Sequence, residues 1–284
     1  MPIRALLLAV VVLAFGACIP PEPDDDIIRS FDPEDTVMGA IQERGLLRVG
    51  FDGGMPPALR GFVSNLGREV SDALGTQIEY SVGSTDELLA WISDDTIDLA
   101  FPLVPITESR VDEMRRTHGF TDPYLVAHQR LLVGEGYTTV SSVEMLEGRT
   151  VCAALDDQTG LDLTRMVADL TIVERDVQGC AGALTEGEAH AVTAPDIVLA
   201  GILPELEGAA IVGDQLNTEG YGAVVEAGAN AWTDYVSQVL EEAQQEGRWT
   251  EFFSASFDGL LDSQDPPGMS AEEAAALFPS DVGS

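Results

Sequence analysis

Short apolar runs alternate with amphipathic stretches along most of the chain. The run LLRVGF at residues 46–51 is typical of a buried strand, and the stretch that follows carries an apolar residue at every fourth position. These residues are Phe62, Leu66, Val70 and Leu74. Such a spacing lines one face of a helix, and Gly75 supplies the usual signal for its end. The pattern therefore predicts a strand followed by an amphipathic helix.

The same alternation continues beyond this first pair. QIEYSV and IDLAF, at residues 77–82 and 97–101, are typical of strands, and Ser84 with Glu87 forms the capping box that begins a helix. A second series of strands and helices runs from residue 150 to residue 202. Two such series predict an α/β fold of two lobes, each a mostly parallel sheet flanked by helices.

Two extended segments connect the predicted lobes. The first, residues 119–136, contains Pro123, which bars a helix there, and the second, residues 219–228, follows the second series. Together they predict a two-strand hinge, after which a long helix returns to the first lobe. Ligands of open α/β sheets bind beyond the carboxyl ends of the strands, so we expect the site in the cleft between the lobes.

The N-terminus predicts export from the cytoplasm. One early charge, Arg4, precedes an apolar run from Ala5 to Phe15, and small residues lead to Cys18. The run is shorter than the roughly 20 residues of a membrane-spanning helix, which favours a secretory signal. Small residues before a cysteine resemble the bacterial lipoprotein signal, in which Cys18 is acylated and becomes the mature N-terminus. An ordinary signal peptide with an incidental cysteine is the alternative.

The predicted organisation has six parts. They are a signal peptide at 1–17, an acidic and proline-rich tether at 18–38, lobe 1 at 39–125, lobe 2 at 126–221, a return to lobe 1 at 222–254, and a C-terminal extension at 255–284. In the extension Ser270 and Glu273 can cap a short helix, but its proline and acid content predicts a loosely held segment without an assigned function. We expect the mature protein to lie outside the cytoplasm, anchored to the envelope membrane through Cys18.

Charge and histidine content exclude several classes of partner. The 284 residues include 14 Lys+Arg, all of them arginine, and 49 Asp+Glu, which gives a formal net charge of −35. Such a field repels nucleic acid and anionic lipid. The histidines, at positions 118, 128 and 190, show no metal-ligand spacing, so we expect neither a metal nor a cofactor.

Cys152 and Cys180 both fall in the predicted second lobe. In an oxidising compartment two spare cysteines in one lobe most often pair, and we predict a disulfide between them. Two buried thiols are the alternative, because sequence alone gives no distance between the residues.

Seven segments between residues 41 and 253 carry a resemblance to a known family. They read IQERGLLRVGFD, GFVSNLGREVSDALG, ELLAWISDDTIDLAFPLVPITESR, GFTDPY, LEGRTVCAAL, LTEGEAHAVTAPDIVLAG and WTDYVSQVLEEAQQEGRWTEFF. In order and spacing they resemble the bacterial extracellular solute-binding proteins of family 3, the polar amino-acid receptors of uptake transporters. The cysteine pair also resembles that of lipoprotein members from some actinobacteria. The resemblance implies a type II periplasmic-binding-protein-like fold and a monomeric receptor that delivers a small polar solute to an ABC-type permease.

The resemblance also implies a carboxylate site after the third strand. Thr107 can cap a helix there, which would point free backbone N–H groups at the cleft, and Arg110 one turn later offers a planar fork for two charge-assisted hydrogen bonds. Arg110 is therefore expected to bind the carboxylate of a ligand. The other expected ligand-binding residues are Asp52, Asp157, Gln158, Thr159 and Asp196.

Departures from the family pattern cluster where ligand is held. Val63 replaces an aspartate, Pro105 a hydroxyl residue, Ala58 and Thr85 aromatic residues, Pro195 the ammonium-binding aspartate, and DDQTG at 156–160 a Gly-Thr-Thr loop. A shift of one residue in the alignment would restore the aspartate at Asp196. We therefore expect a carboxylate-bearing solute whose identity stays open. The alternatives are a degenerate receptor that acts as a surface sensor or interaction partner and, less favoured because no nucleophile motif occurs, an enzyme on the same fold.

Overall fold

The computed structural model describes residues 36–114, 116–154, 163–262 and 264–277, and it contains two five-stranded sheets. The strands are β1 (Leu46–Asp52), β2 (Gln77–Gly83), β3 (Leu99–Phe101), β4 (His118–Ala127), β5 (Gln129–Val133), β6 (Thr150–Ala154), β7 (Thr171–Arg175), β8 (Ala191–Pro195), β9 (Ala210–Val212) and β10 (Glu219–Glu226). The first sheet, in lobe 1, has the order β2-β1-β3-β10-β4, and the second, in lobe 2, has the order β7-β6-β8-β5-β9.

Helices cover these sheets and fill the connections between their strands. They are α1 (Thr36–Arg44), α2 (Pro57–Leu74), α3 (Thr85–Ser93), α4 (Glu108–Met114), α5 (Val177–Thr185), α6 (Asp196–Ile202), α7 (Asn230–Gln245), α8 (Arg248–Phe257) and α9 (Ala271–Leu277). Within the described part of the chain, none of them is long and apolar enough to cross a membrane.

The local signals in the sequence act as predicted in lobe 1. The apolar face of α2 is buried, and Gly75 ends this helix in the left-handed conformation, with φ of 66°. The side chain of Ser84 accepts a hydrogen bond from the backbone N–H of Glu87, whose carboxylate accepts one from the backbone N–H of Ser84. The predicted capping box therefore begins α3.

Both sheets mix parallel and antiparallel pairing. β1 pairs in parallel with β2 and β3, and β6 pairs in parallel with β7 and β8, as expected for strands linked through helices. The pairs that involve β10 in lobe 1 and β5 in lobe 2 are antiparallel, because these strands enter through the hinge. The two-lobed α/β fold is confirmed, and the hinge strands make each sheet less parallel than the sequence predicted.

The hinge is formed where β4 and β10 run side by side. Their antiparallel register extends from Glu219 opposite Ala127 to Glu226 opposite His118. His128 then connects β4 directly to β5, the first strand of lobe 2. The two extended segments predicted from sequence therefore carry the chain between the lobes.

The predicted disulfide partners meet in the buried interior of lobe 2. Cys152 lies on β6 and Cys180 on α5, both fully buried, with their Cα atoms 5.5 Å apart and their sulfur atoms in contact. This separation is within the range that a disulfide spans. The geometry permits the bridge, and the two sulfur atoms lie together in the core.

The C-terminal extension differs from the sequence-based expectation. Ser270 and Glu273 form the predicted capping box, but α9 packs against β4, β10 and α4 and is not loosely held. Ala274 is 0% exposed in this contact. The composition gave no sign of the docking, because one small apolar side chain and a backbone hydrogen bond from Ala271 to Asp122 contribute to it.

Candidate functional site

The candidate site lies at the carboxyl edge of the lobe 1 sheet. Strands β1 and β3 both end there, and helices α3 and α4 begin there. These ends border a depression of about 730 Å³. Its lining includes Asp52, Thr85, Asp86, Arg110 and Glu113. The parallel strands therefore bring together Asp52 and Arg110, two of the residues that sequence analysis selected.

Arg110 is held at the start of α4 by its backbone. Its N–H donates to the Thr107 hydroxyl at 3.3 Å, and the N–H of Val111 donates to the Thr107 carbonyl at 2.9 Å. Thr107 thus caps the helix as predicted. The helix has only seven residues, so we assign its dipole no separate role. The Arg110 side chain is half-buried and makes no ion pair with any residue that the structure describes.

Asp52 is a nearly buried carboxylate, 8% exposed, beside this arginine-bearing edge. One oxygen accepts the Thr85 hydroxyl at 2.5 Å, and the other accepts the Gly54 N–H at 2.8 Å. Burial raises the pKa of Tyr124, and the negative charge of Asp52 raises it further. Thr85, where the family resemblance implied an aromatic residue, therefore orients an acidic group. Sequence analysis missed this role because residues 52 and 85 meet only through the parallel pairing of β1 and β2.

Asp196 occupies the corresponding edge of lobe 2. It follows β8 as the first residue of α6 and is 3% exposed, and its carboxylate accepts the N–H groups of His128 at 3.1 Å and Ile197 at 2.9 Å. Burial raises the pKa of Asp196, while these hydrogen bonds and the nearby His128 and Arg130 oppose the rise. At this strand end the acidic side chain belongs to Asp196, one residue after Pro195.

Some residues named in the sequence analysis lie outside the described part of the chain, and one described residue, Val63, offers a ligand no polar group. Asp157, Gln158 and Thr159 lie outside the described residues, as does Cys18. Val63 is fully buried in the apolar core next to α2 residues from the same face, so it offers nothing to a ligand. In the described ranges, no group of three or more His, Cys, Asp and Glu side chains could hold a metal ion.

The two lobes touch each other beside the cleft through α2 and α6. A Cβ atom added to Gly201 of α6 would lie 2.2 Å from Cβ of Pro56, which directly precedes α2. Apolar residues of α6 belong to the same core cluster as those of α2 and α8. The lobes therefore approach each other closely at a position where only glycine fits.

Replacing Gly201 by alanine is expected to weaken binding of any solute held between the lobes by about tenfold or more, because the added methyl group obstructs this approach. Titration calorimetry measures the affinity, and small-angle scattering measures the separation of the lobes. Gly182→Ala is the matched control, since a Cβ at this helical glycine of lobe 2 meets no atom within 4 Å. Equal affinity and equal scattering for the two variants would contradict the prediction.

Comparisons with known proteins agree with this architecture. The model of the bacterial extracellular solute-binding proteins, family 3, matches residues 47–258. The ABC transporter glutamine-binding protein GlnH of Bacillus subtilis (strain 168) is 24% identical over 200 residues, which cover 69% of this chain and 71% of the relative. The match to the family model spans both lobes and the hinge.

Solved structures are similar over most of the chain. A mutant of ArgBP from T. maritima superposes with a TM-score of 0.64 at 22% identity, covering 78% of this chain and 99% of that chain. The ancestral amino acid-binding protein AncCDT-1, a precursor of cyclohexadienyl dehydratase, superposes with a TM-score of 0.67 at 19% identity, covering 78% of this chain and 100% of that chain. At these identities the structures show a common fold.

Proposed function

This chain belongs to the bacterial extracellular solute-binding proteins of family 3, and we propose that it captures a small carboxylate-bearing polar solute and delivers it to an ABC-type permease. The observation that carries the proposal is Arg110. Its cationic side chain reaches the depression at the carboxyl edge of lobe 1 and pairs with none of the described acidic residues, in a chain whose net charge is −35. A guanidinium in that position matches a carboxylate through two parallel hydrogen bonds.

Two buried carboxylates support an amino acid or a close relative of one. Asp52 on lobe 1 and Asp196 on lobe 2 are each fixed in orientation by two hydrogen bonds. Each Asp52 oxygen accepts one hydrogen bond and keeps a further lone pair, whereas both of these hydrogen bonds of Asp196 go to Oδ1 and leave Oδ2 to act as acceptor. Either group can therefore receive a hydrogen bond from an ammonium group. We assign the ligand carboxylate to Arg110 and the ligand ammonium to one of these two aspartates.

The proposal places the protein outside the cytoplasmic membrane. Cys18 would carry the lipid anchor, the acidic tether would span from the membrane to lobe 1, and the receptor would act as a monomer. A Cys18→Ser chain is expected to appear in the soluble fraction of fractionated cells while the wild-type chain sediments with membranes. Equal distribution of both chains would remove the anchor from the proposal.

A thermal-shift screen tests the function directly. The panel contains amino acids, dicarboxylates and small inorganic anions, because these classes separate a need for ammonium from a need for carboxylate. A solute that binds the folded state raises the melting temperature in proportion to the logarithm of its concentration. We expect stabilisation by at least one carboxylate-bearing solute. Absence of a shift with every solute would contradict the receptor function.

One observation favours a second candidate, a receptor that no longer binds solute. Val63 and Ala58 place apolar side chains where the family pattern has polar or aromatic ones, and the lobes already touch through α2 and α6. A protein of this kind would serve as a surface sensor or interaction partner. It would show no thermal shift, and its scattering profile would stay the same with every solute in the panel.

A further inference from the structure

The C-terminal segment, which we define as residues 268–277, passes around the outer strand of the lobe 1 sheet. Its first part, residues 268–270, lies beside Asp122 and Pro123 of β4 and beside α7. Its second part, helix α9, contacts β4, β10 and α4. The segment therefore runs from the side of α7, across β4, to the side of α4, the helix that bears Arg110. It lies outside the region of the family match, residues 47–258.

Specific contacts hold this segment in place. The carboxylate of Glu273 accepts the backbone N–H and the hydroxyl of Ser270 at 2.8 and 2.9 Å, and these hydrogen bonds lower the pKa of Glu273. The N–H of Ala271 donates to the Asp122 carboxylate at 2.8 Å. Asp122 belongs to β4, so the start of α9 is tied to a hinge strand.

Two glycines of β10 allow close packing of α9 and of the chain segment that leads to α4. Gly220 and Gly222 flank Tyr221 on β10, and the register of this strand against β4 shifts between Tyr221 and Gly222. A Cβ at Gly220 would lie 2.8 Å from Cβ of Ala274, and a Cβ at Gly222 would lie 2.9 Å from Cδ1 of Ile106. α9 and Ile106 thus each pack closely against a glycine of β10.

The same stretch of β10 fixes the chain ahead of Arg110 through its backbone. The N–H of Ile106 donates to the carbonyl of Gly220 at 2.7 Å, and Pro105 forms a bridge with Tyr221. Thr107, which caps α4, comes next. A displacement of Gly220 would therefore be transmitted to the helix start that orients the Arg110 guanidinium.

We propose that the C-terminal segment is a positioning element of the solute site: by packing on Gly220 and tying Asp122, it fixes the start of α4 and thereby the direction of Arg110. The effect on solute affinity rests on the proposed function. The effect on the order of residues 105–111 does not rest on it, and the two effects are measured separately.

The test compares the wild-type chain with a chain that ends at residue 265 and with the variants Ala274→Glu and Asp122→Asn. Leu277→Glu is the matched control, because it introduces the same charge at an exposed position of the same helix that does not line the groove between α9 and α4. Hydrogen exchange of residues 105–111 reports on the start of α4, and exchange of β8 in lobe 2 reports on global stability. Titration with the solute identified by the thermal-shift panel reports on affinity. The point variants keep the test decisive if the shortened chain does not fold.

We expect exchange of residues 105–111 to accelerate about tenfold in the shortened chain and in Ala274→Glu, and less in Asp122→Asn, with exchange of β8 unchanged. The affinity for the solute is expected to fall about fivefold or more in the same chains and to stay constant in Leu277→Glu. Unchanged exchange of residues 105–111 in Ala274→Glu and the shortened chain overturns the proposal. A wild-type chain that binds nothing would remove the proposed function, and the exchange experiment would still decide the role of the segment.

Discussion

Replacing Arg110 by alanine is expected to weaken solute binding by about 2 to 5 kcal/mol, which corresponds to roughly 30-fold to several thousandfold. The loss is this large because the variant leaves the ligand carboxylate in the cleft without its charged partner. Titration calorimetry with the solute found in the thermal-shift panel measures the effect. Arg110→Lys keeps the charge but lacks the planar fork, and we expect an intermediate affinity.

Arg68→Ala is the control for this experiment. Arg68 lies exposed on α2 and its removal changes the net charge of the chain by the same amount. Because exposed charges separated by more than a Debye length, about 8 Å at physiological salt, are largely screened, this variant should bind as the wild type does. If Arg68→Ala and Arg110→Ala lose affinity equally, the attraction is long-range and the carboxylate is not held by Arg110. If neither loses affinity, the proposed site is wrong.

Removal of both cysteines of lobe 2 is expected to lower the free energy of unfolding by about 3 to 4 kcal/mol. The chain-entropy relation gives this value for a loop closed over a separation of 28 residues. Chemical denaturation of the Cys152→Ala/Cys180→Ala chain measures the change. The expected midpoint is lower in denaturant than that of the oxidised wild type.

Reduced wild-type protein is the control that separates the cross-link from the size of the side chains. Both reduced and doubly substituted chains lack the cross-link, so their midpoints should lie close together and below that of the oxidised chain. Mass spectrometry of unfolded, non-reduced protein after alkylation gives an independent check. Alkylation of both Cys152 and Cys180 under those conditions would show that the bridge does not form.

The elements that sequence analysis predicted well are those whose signals are local. Four apolar residues on one face and a terminal glycine predict helix α2, and capping residues predict the starts of α3 and α4. These interactions form between residues fewer than five positions apart. The geometry of these interactions depends mainly on local backbone conformation, so they can be predicted from the sequence alone.

The arrangement of the site was harder to predict, because it depends on pairing between distant strands. Thr85 meets Asp52 across 33 positions, and Ala274 meets Gly220 across more than 50. Glycine, alanine and threonine at such places carry no signal of their own. The family resemblance selected Asp52, Thr107, Arg110 and Asp196 at the strand ends, and it marked Thr85 only as a departure from an aromatic residue. It gave no indication of a role for Gly201 or the C-terminal segment.

The position of β10 in the first sheet has a consequence for the order in which the lobes assemble. The strands of the second sheet all lie between Gln129 and Val212, in one uninterrupted stretch of chain, whereas the first sheet needs β10, which follows that stretch. During synthesis the N-terminus of the chain emerges first. All strands of lobe 2 are therefore available for folding before β10, the last strand of lobe 1. Domains generally fold as units during such emergence, and contacts distant in sequence form slowly. The lobe that begins first along the chain is therefore the one that finishes folding last.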